Sequence, residues 1–268
     1  MLSLNHLSYT IKDPLITMSF YTASRLALAS YHLLFSLVLS SIIGAVISLV
    51  WYPPPLLQAN GVLPIMLMLI AINLIVPPVL TFIVYKTDKK ELRRDIAIIC
   101  ALQMMTLLYG LFVIEDGRPA YLVFAIDDFE AVTPSEVSWA QQNTKMDVIT
   151  APTLGLFERS KFVYSPFSSD KEARGRQQTE ELTDGISITY RVDNYQPITV
   201  ATKMIGAKSQ PLSALNDYND SQQVNDILHQ YPNADRWLPL KASVLDMVVL
   251  IDSDGALIDV VNLRPWSK

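Results

Sequence analysis

The chain has 268 residues, half of them apolar, a formal net charge of −5 and a single cysteine. The charge is unevenly divided: residues 1–114 carry seven Lys or Arg against four Asp or Glu, whereas residues 115–268 carry 14 against 22. An acidic C-terminal part argues against nucleic acid or anionic lipid as its main partner, and one cysteine excludes an internal disulfide.

After an N-terminal segment, residues 1–25, come three apolar runs. Residues 26–50 and 62–85 contain no formal charge, and the polar members of residues 96–114 are only Gln103, Thr106, Tyr109 and the small Cys100. Crossing a hydrocarbon core takes roughly 20 apolar residues in a helix. Lipid offers no partner to a bare amide and the runs do not alternate, so each is read as a transmembrane helix. Three buried helices of a large soluble core would seldom stay uncharged on every face. A cleaved signal peptide fits the first run poorly, because the run is too long and ends in Val-Trp-Tyr-Pro-Pro-Pro.

The loops give an orientation. Residues 51–61 are uncharged and carry Trp51 and Tyr52, expected as interface anchors, whereas residues 86–95 hold five basic residues against three acidic ones. The basic loop, with Arg93 and Arg94 in a positioning role, should stay in the cytoplasm, and Lys12 and Arg25 agree with a cytoplasmic N-terminus. The expected fold is thus a membrane α-helical region, residues 26–114, with N-in and C-out topology. A soluble α+β domain, residues 115–268, follows on the outer side.

Polar groups inside the spans need partners. His32 could bond a partner protein or reach the interface, while Asn73 and Gln103 suit bonds across helices of one bundle or contacts with a partner. Gly44 and Gly110 would allow close helix approach, and Pro77-Pro78 should kink or break the second span. Cys100 reads as a small apolar filler.

In the outer domain, residues 121–126 form a strand ended by Asp127-Asp128, and Thr133-Pro134-Ser135-Glu136 opens a helix with a capping box. Residues 147–164 are ambiguous, with short strands possible at Val148-Ile149 or residues 161–164. An exposed helix over residues 170–182, a strand over 186–190 and helices over 211–215 and 222–230 follow. Residues 246–251 and 256–261, joined by Asp252-Ser-Asp254-Gly255, form a terminal hairpin expected at the core of the sheet. Asp127, Asp128 and Glu130 read as solvated turn residues rather than an acid/base pair, and Asp252 and Asp254 lack the later ligands of a calcium loop. His6 and His229 stand alone. No catalytic, cofactor or metal residues are therefore assigned, and the chain is not expected to be an enzyme.

Several strings together resemble a known family. They are Trp51-Tyr-Pro, then Lys90-Glu-Leu-Arg-Arg-Asp95 leading into Leu102-Gln103 and Leu108-Tyr109-Gly110, then Arg118-Pro119, Val123-Phe124 and Phe129. Near the end come Trp237-Leu-Pro239, residues 246–252, Gly255 and Leu263-Arg-Pro-Trp266. This pattern resembles the type IV pilin accessory proteins, the TfpX/TfpZ family, over nearly the whole chain from residue 18. It is weakest between residues 147 and 211. Residues 1–17 have no counterpart, and Met18-Ser-Phe-Tyr resembles a family start. The resemblance implies a multi-pass protein of the bacterial inner membrane with a periplasmic C-terminal domain. Its partners would be membrane lipids and a type IV major pilin, which it would help to stabilise, assemble or retract without catalysis or a cofactor. A pilin-modifying membrane enzyme would need more spans and an acidic motif, and a membrane sensor would need a cytoplasmic output domain.

Overall fold

Residues 14–86, 90–144 and 154–267 are described by this computed structural model. Helix α1 (Pro14–Val46) runs on through a π-helical turn, Ile47–Trp51, and a four-residue helix α2 (Leu56–Ala59) precedes α3 (Val62–Val84) and α4 (Leu92–Asp116). Three helical stretches, Ser24–Trp51, Val62–Val84 and Leu92–Asp116, are long and apolar enough to cross a membrane. Large apolar side chains such as Leu34, Ile75 and Leu108 point outward along them, which suits lipid and not water. Helix α3 continues through Pro77 and Pro78 instead of breaking. Proline keeps a helical φ, so what is lost is two ladder hydrogen bonds and not the helix itself.

Two compact units emerge, and the chain passes between them more than once. The helical unit takes residues up to 43 and residues 68–110. Within it a Cβ on Gly110 would lie 2.4 Å from Leu69 Cδ1, so α3 and α4 approach closely at that glycine. The second unit takes residues 44–67 as well as residues 111 onward, so the loop between the first two spans folds with the C-terminal region.

That second unit is built on one eight-stranded sheet: β1 (Tyr121–Ala125), β2 (Asp128–Val132), β3 (Lys161–Tyr164), β4 (Gln196–Pro197), β5 (Gln210–Pro211), β6 (Arg236–Lys241), β7 (Met247–Ile251) and β8 (Leu257–Val261). Their order is β4-β3-β1-β2-β6-β7-β8, with β5 added to β6. The pairs β1/β3 and β2/β6 are parallel and the others antiparallel, so the expected α+β domain has a mixed sheet. The sheet curls, because inward residues from β1 to β8, namely Leu122, Phe124, Phe129, Leu240, Val249 and Val260, meet in one core. Leu56 and Ala59 of α2 and Ile205 of α7 (Thr202–Lys208) complete it. The alternate residues are buried too: Trp237, Val248 and Leu250 pack under Val224 of α8 (Ser221–Leu228), and Val123 and Val132 under Val137 of α5 (Pro134–Asn143). Burial on both faces explains why β7 reads Met-Val-Val-Leu-Ile without alternation.

Local sequence accounts for the element ends. Thr133 caps α5 with the reciprocal Glu136 bond and Pro134 in the first turn. Asp170 caps α6 (Lys171–Asp184), which Gly185 ends at φ +70°. Gly255 turns the β7–β8 hairpin at φ +85°.

Four expectations are corrected. The strand begun at Tyr121 ends at Ala125, and Asp128 then starts β2 rather than a solvated turn. Residues 186–190 are not a strand, since Ile188–Tyr190 is a 3-10 turn capped by Ser187. Residues 211–215 give a short strand at Gln210–Pro211 and a 3-10 helix, Leu212–Asp217, because Gln210 and Pro211 pair with Trp237 and Arg236. The terminal hairpin closes one end of the sheet, with β7 interior but β8 an edge. Strand β3 lies where one was considered, and Val148-Ile149 lies outside the described residues.

Candidate functional site

Inside the helical unit, His32 is buried between two other helices. Its Nδ1 lies 2.6 Å from Thr81 Oγ1 and its Nε2 3.0 Å from Gln103 Oε1. The Gln103 oxygen can only accept, so Nε2 donates to it and Nδ1 accepts from the Thr81 hydroxyl. Gln103 Nε2 in turn donates to Ser36 Oγ at 3.0 Å. One polar chain thus ties α1, α3 and α4, and His32 has no need of the interface. A cavity of about 330 Å³ lies beside it, lined by Leu28, Tyr31, His32, Phe35, Thr81 and Cys100. Thr81 and Ser36 escaped the sequence reading because lone hydroxyls in apolar runs carry no pattern. Asn73 is buried elsewhere in the unit; its Nδ2 donates to Leu69 O within α3, and its Oδ1 has no hydrogen-bond partner among the described residues.

Arg93 and Arg94 lie exposed in the first turn of α4, with Arg94 paired to Glu91 at 2.6 Å. Cations at a helix N-terminus oppose the helix dipole, so the pair is not there to stabilise α4.

In the second unit, Trp51 and Tyr52 do not serve as lipid-facing anchors. Both are buried, because each polar tip finds a protein carbonyl: Trp51 Nε1 donates to Leu156 O at 2.8 Å and Tyr52 Oη to Ile114 O at 2.7 Å. Burial pushes the Tyr52 phenol up from its ordinary value. Arg118, only 1% exposed, stacks over Trp51 at 5.5 Å from the ring centroid and donates through Nη1 to Gly155 O. Its Nε and Nη2 have no hydrogen-bond partner among the described residues. Desolvation lowers its pKa, opposed by Glu115, Tyr52 and Glu158. Arg118 was visible in the sequence only as part of an Arg-Pro motif; nothing local marks it as buried.

The curl of the sheet leaves a seam between β3 and β8. A groove of about 280 Å³ runs there, walled by Pro53, Pro54, Leu122, Arg159, Phe162 and Val260. Lys161 and Ser165 point their N–H groups at Ala120 and Phe124 of the β1 side, so the amide of Phe162 points away from β1. On β8, the Val260 N–H donates to the carboxylate of its neighbour Asp259 at 2.8 Å.

The acidic cluster after β1 is also placed. Asp128 pairs with Lys241 at 2.5 Å, and Glu130 accepts from Ser187, Thr189 and Tyr190 hydroxyls. Asp252 accepts from the Asp254 and Ala256 amides, the pattern of a side chain closing its own turn. Among the described residues no three His, Cys, Asp or Glu side chains converge as a metal set.

Three relatives come from Dichelobacter nodosus, the fimbrial assembly proteins of serogroup I, of serogroups C1 and C2, and of serogroup E1. Each is 28% identical to this chain over 112 residues, or 41% of it. The chain is therefore distantly related to fimbrial assembly proteins. The match covers 86% of the C1 and C2 protein but only 44% of the other two, so the chain spans less than half the length of those relatives. No family model matches. No solved structure matches either.

Proposed function

We propose that this chain is an accessory protein of type IV pilus assembly, held in the bacterial inner membrane and acting on a cognate pilin by contact rather than by catalysis. The distant similarity to the fimbrial assembly proteins carries the reading. Three apolar helices support a membrane location. The basic loop, residues 86–95, supports a cytoplasmic side for that loop and a periplasmic side for the sheet unit. A chaperone-like role follows from the composition of such a partner: apolar helices can hold an apolar segment, and a globular unit outside the bilayer can hold a globular head.

Deleting the gene and measuring pilin level, surface pili and twitching motility tests the role, with the full chain restoring each. Unchanged pilin, pili and motility in the deletion would end it. Topology is tested separately, with a reporter that is active only outside the cytoplasm: fused after Lys268 it should be active, and fused after Lys90 silent. The reverse pattern would overturn the orientation while leaving the role intact.

A further inference from the structure

Residues 155–158, Gly-Leu-Phe-Glu, make a tight turn whose tip is apolar. The Glu158 N–H donates to Gly155 O at 3.0 Å, and Gly155 N–H donates back to the Glu158 carboxylate at 3.0 Å. Turn tips are ordinarily Gly, Pro, Asn, Asp or Ser. Here they are Leu156 and Phe157, 59% and 72% exposed. The tip is also held firmly. Trp51 Nε1 bonds Leu156 O, Arg118 Nη1 bonds Gly155 O, and the next residue, Arg159, reaches Leu49 O at 3.1 Å.

Those anchors determine where the turn lies. Leu49 and Trp51 belong to the last turn of the first membrane-length helix, and Leu49 is itself 59% exposed on the outside of that helix. On the membrane location proposed above, a turn bonded to that helix end stands at the depth where hydrocarbon gives way to headgroups. In water, two bare large apolar side chains are unfavourable; at that depth they are matched. The acidic character of the C-terminal part does not oppose this, because the contact is apolar.

We propose that Leu156 and Phe157 form a membrane-inserted wedge, by which the sheet-bearing unit takes hold of the bilayer interface directly as well as through its covalent link to the spans. The occupant of this surface is lipid. Arg159, whose guanidinium already reaches the helix end, stands beside the wedge at headgroup level.

The test uses the full chain in neutral phosphatidylcholine vesicles. A spin label is attached at F157C in a C100A background, and in parallel at L182C, which replaces an exposed leucine of the same unit far from the wedge in sequence. The label at 157 should be reached by oxygen and shielded from a water-soluble nickel chelate, reading a depth of about 5–10 Å. The label at 182 should be open to the chelate. Hydroxyl-radical footprinting of the unlabelled protein gives a second reading: Phe157 should oxidise severalfold more slowly in vesicles than Leu182, after normalising each to its intrinsic reactivity. Equal chelate access at 157 and 182 would overturn the proposal. So would shielding of 157 from both oxygen and chelate, which would mean that protein and not lipid covers it.

Discussion

His32 and Gln103 act as one group. Either alone in an apolar span would leave polar atoms facing hydrocarbon, whereas together with Thr81 and Ser36 they satisfy one another. Replacing His32 by Ala and Gln103 by Ala, singly and together, should give a non-additive cycle in detergent-unfolding measurements. A coupling of about 0.6 kcal/mol, and up to ~1.7, is expected. Additive losses would show that the two side chains do not work through each other. The sequence made both residues conspicuous by their polarity, but the choice of Thr81 as partner depends on how α1 and α3 are rotated, which apolar composition leaves open. Gly255 shows the same division. The Asp-Gly pair announces a turn, but a Cβ there would also lie 2.4 Å from Thr202 O, a contact with a distant segment that no local pattern contains.

At the scale of single elements, legibility follows how local the cause is. The start of α5 is determined by four adjacent residues, so the Thr133 and Glu136 capping box could be read directly. Thr133→Ala should cost about 1 kcal/mol, within roughly 0.5–2, seen as a lower thermal midpoint of the purified chain. An unchanged midpoint would mean that packing of Val137 and Ala140 alone holds α5. Strand β2 was missed because its outward residues, Asp128 and Glu130, look like turn residues. Their partners, Lys241, Ser187, Thr189 and Tyr190, arrive from 57 or more positions away. Residues 186–190 alternate as a strand would, yet Ser187 and Thr189 turn to Glu130, and the backbone closes into a 3-10 turn.

Across the whole molecule, the three membrane-length helices were the most legible feature, since a long uncharged run has few other uses. The curl of the sheet was the least, because it depends on strand order. The face of the sheet covered by α5 has a chemical consequence. Tyr190 and Tyr195 are held neutral well above their ordinary value, first by burial and then by nearby acidic groups for Tyr190 and by Tyr121 and acidic groups for Tyr195; burial does the same at Tyr52. A phenol whose folded pKa is raised contributes stability that is whole below the unfolded value, about 10, and is lost as pH rises beyond it. The thermal midpoint should therefore be flat up to about pH 9 and fall steadily above about pH 10. Absorbance at the phenolate band should show several tyrosines ionising only as the protein unfolds. Full phenolate absorbance from a folded chain would contradict that burial.

Leu56 and Ala59 sit in the core that Val249 and Val260 close. During synthesis the two ends of that contact are separated in time: roughly 190 residues lie between them, about 10–40 seconds at ~5–20 residues per second. Through that interval the segment between the first two membrane-length helices can meet Leu122, Phe124 and Phe129 but not the strands that close the core. Strands β7 and β8 close over the loop between the first two membrane-length helices, so a chain cut short before β7 would leave that core open on one side. A quality-control protease could therefore tell copies cut short before β7 from longer ones by that loop alone.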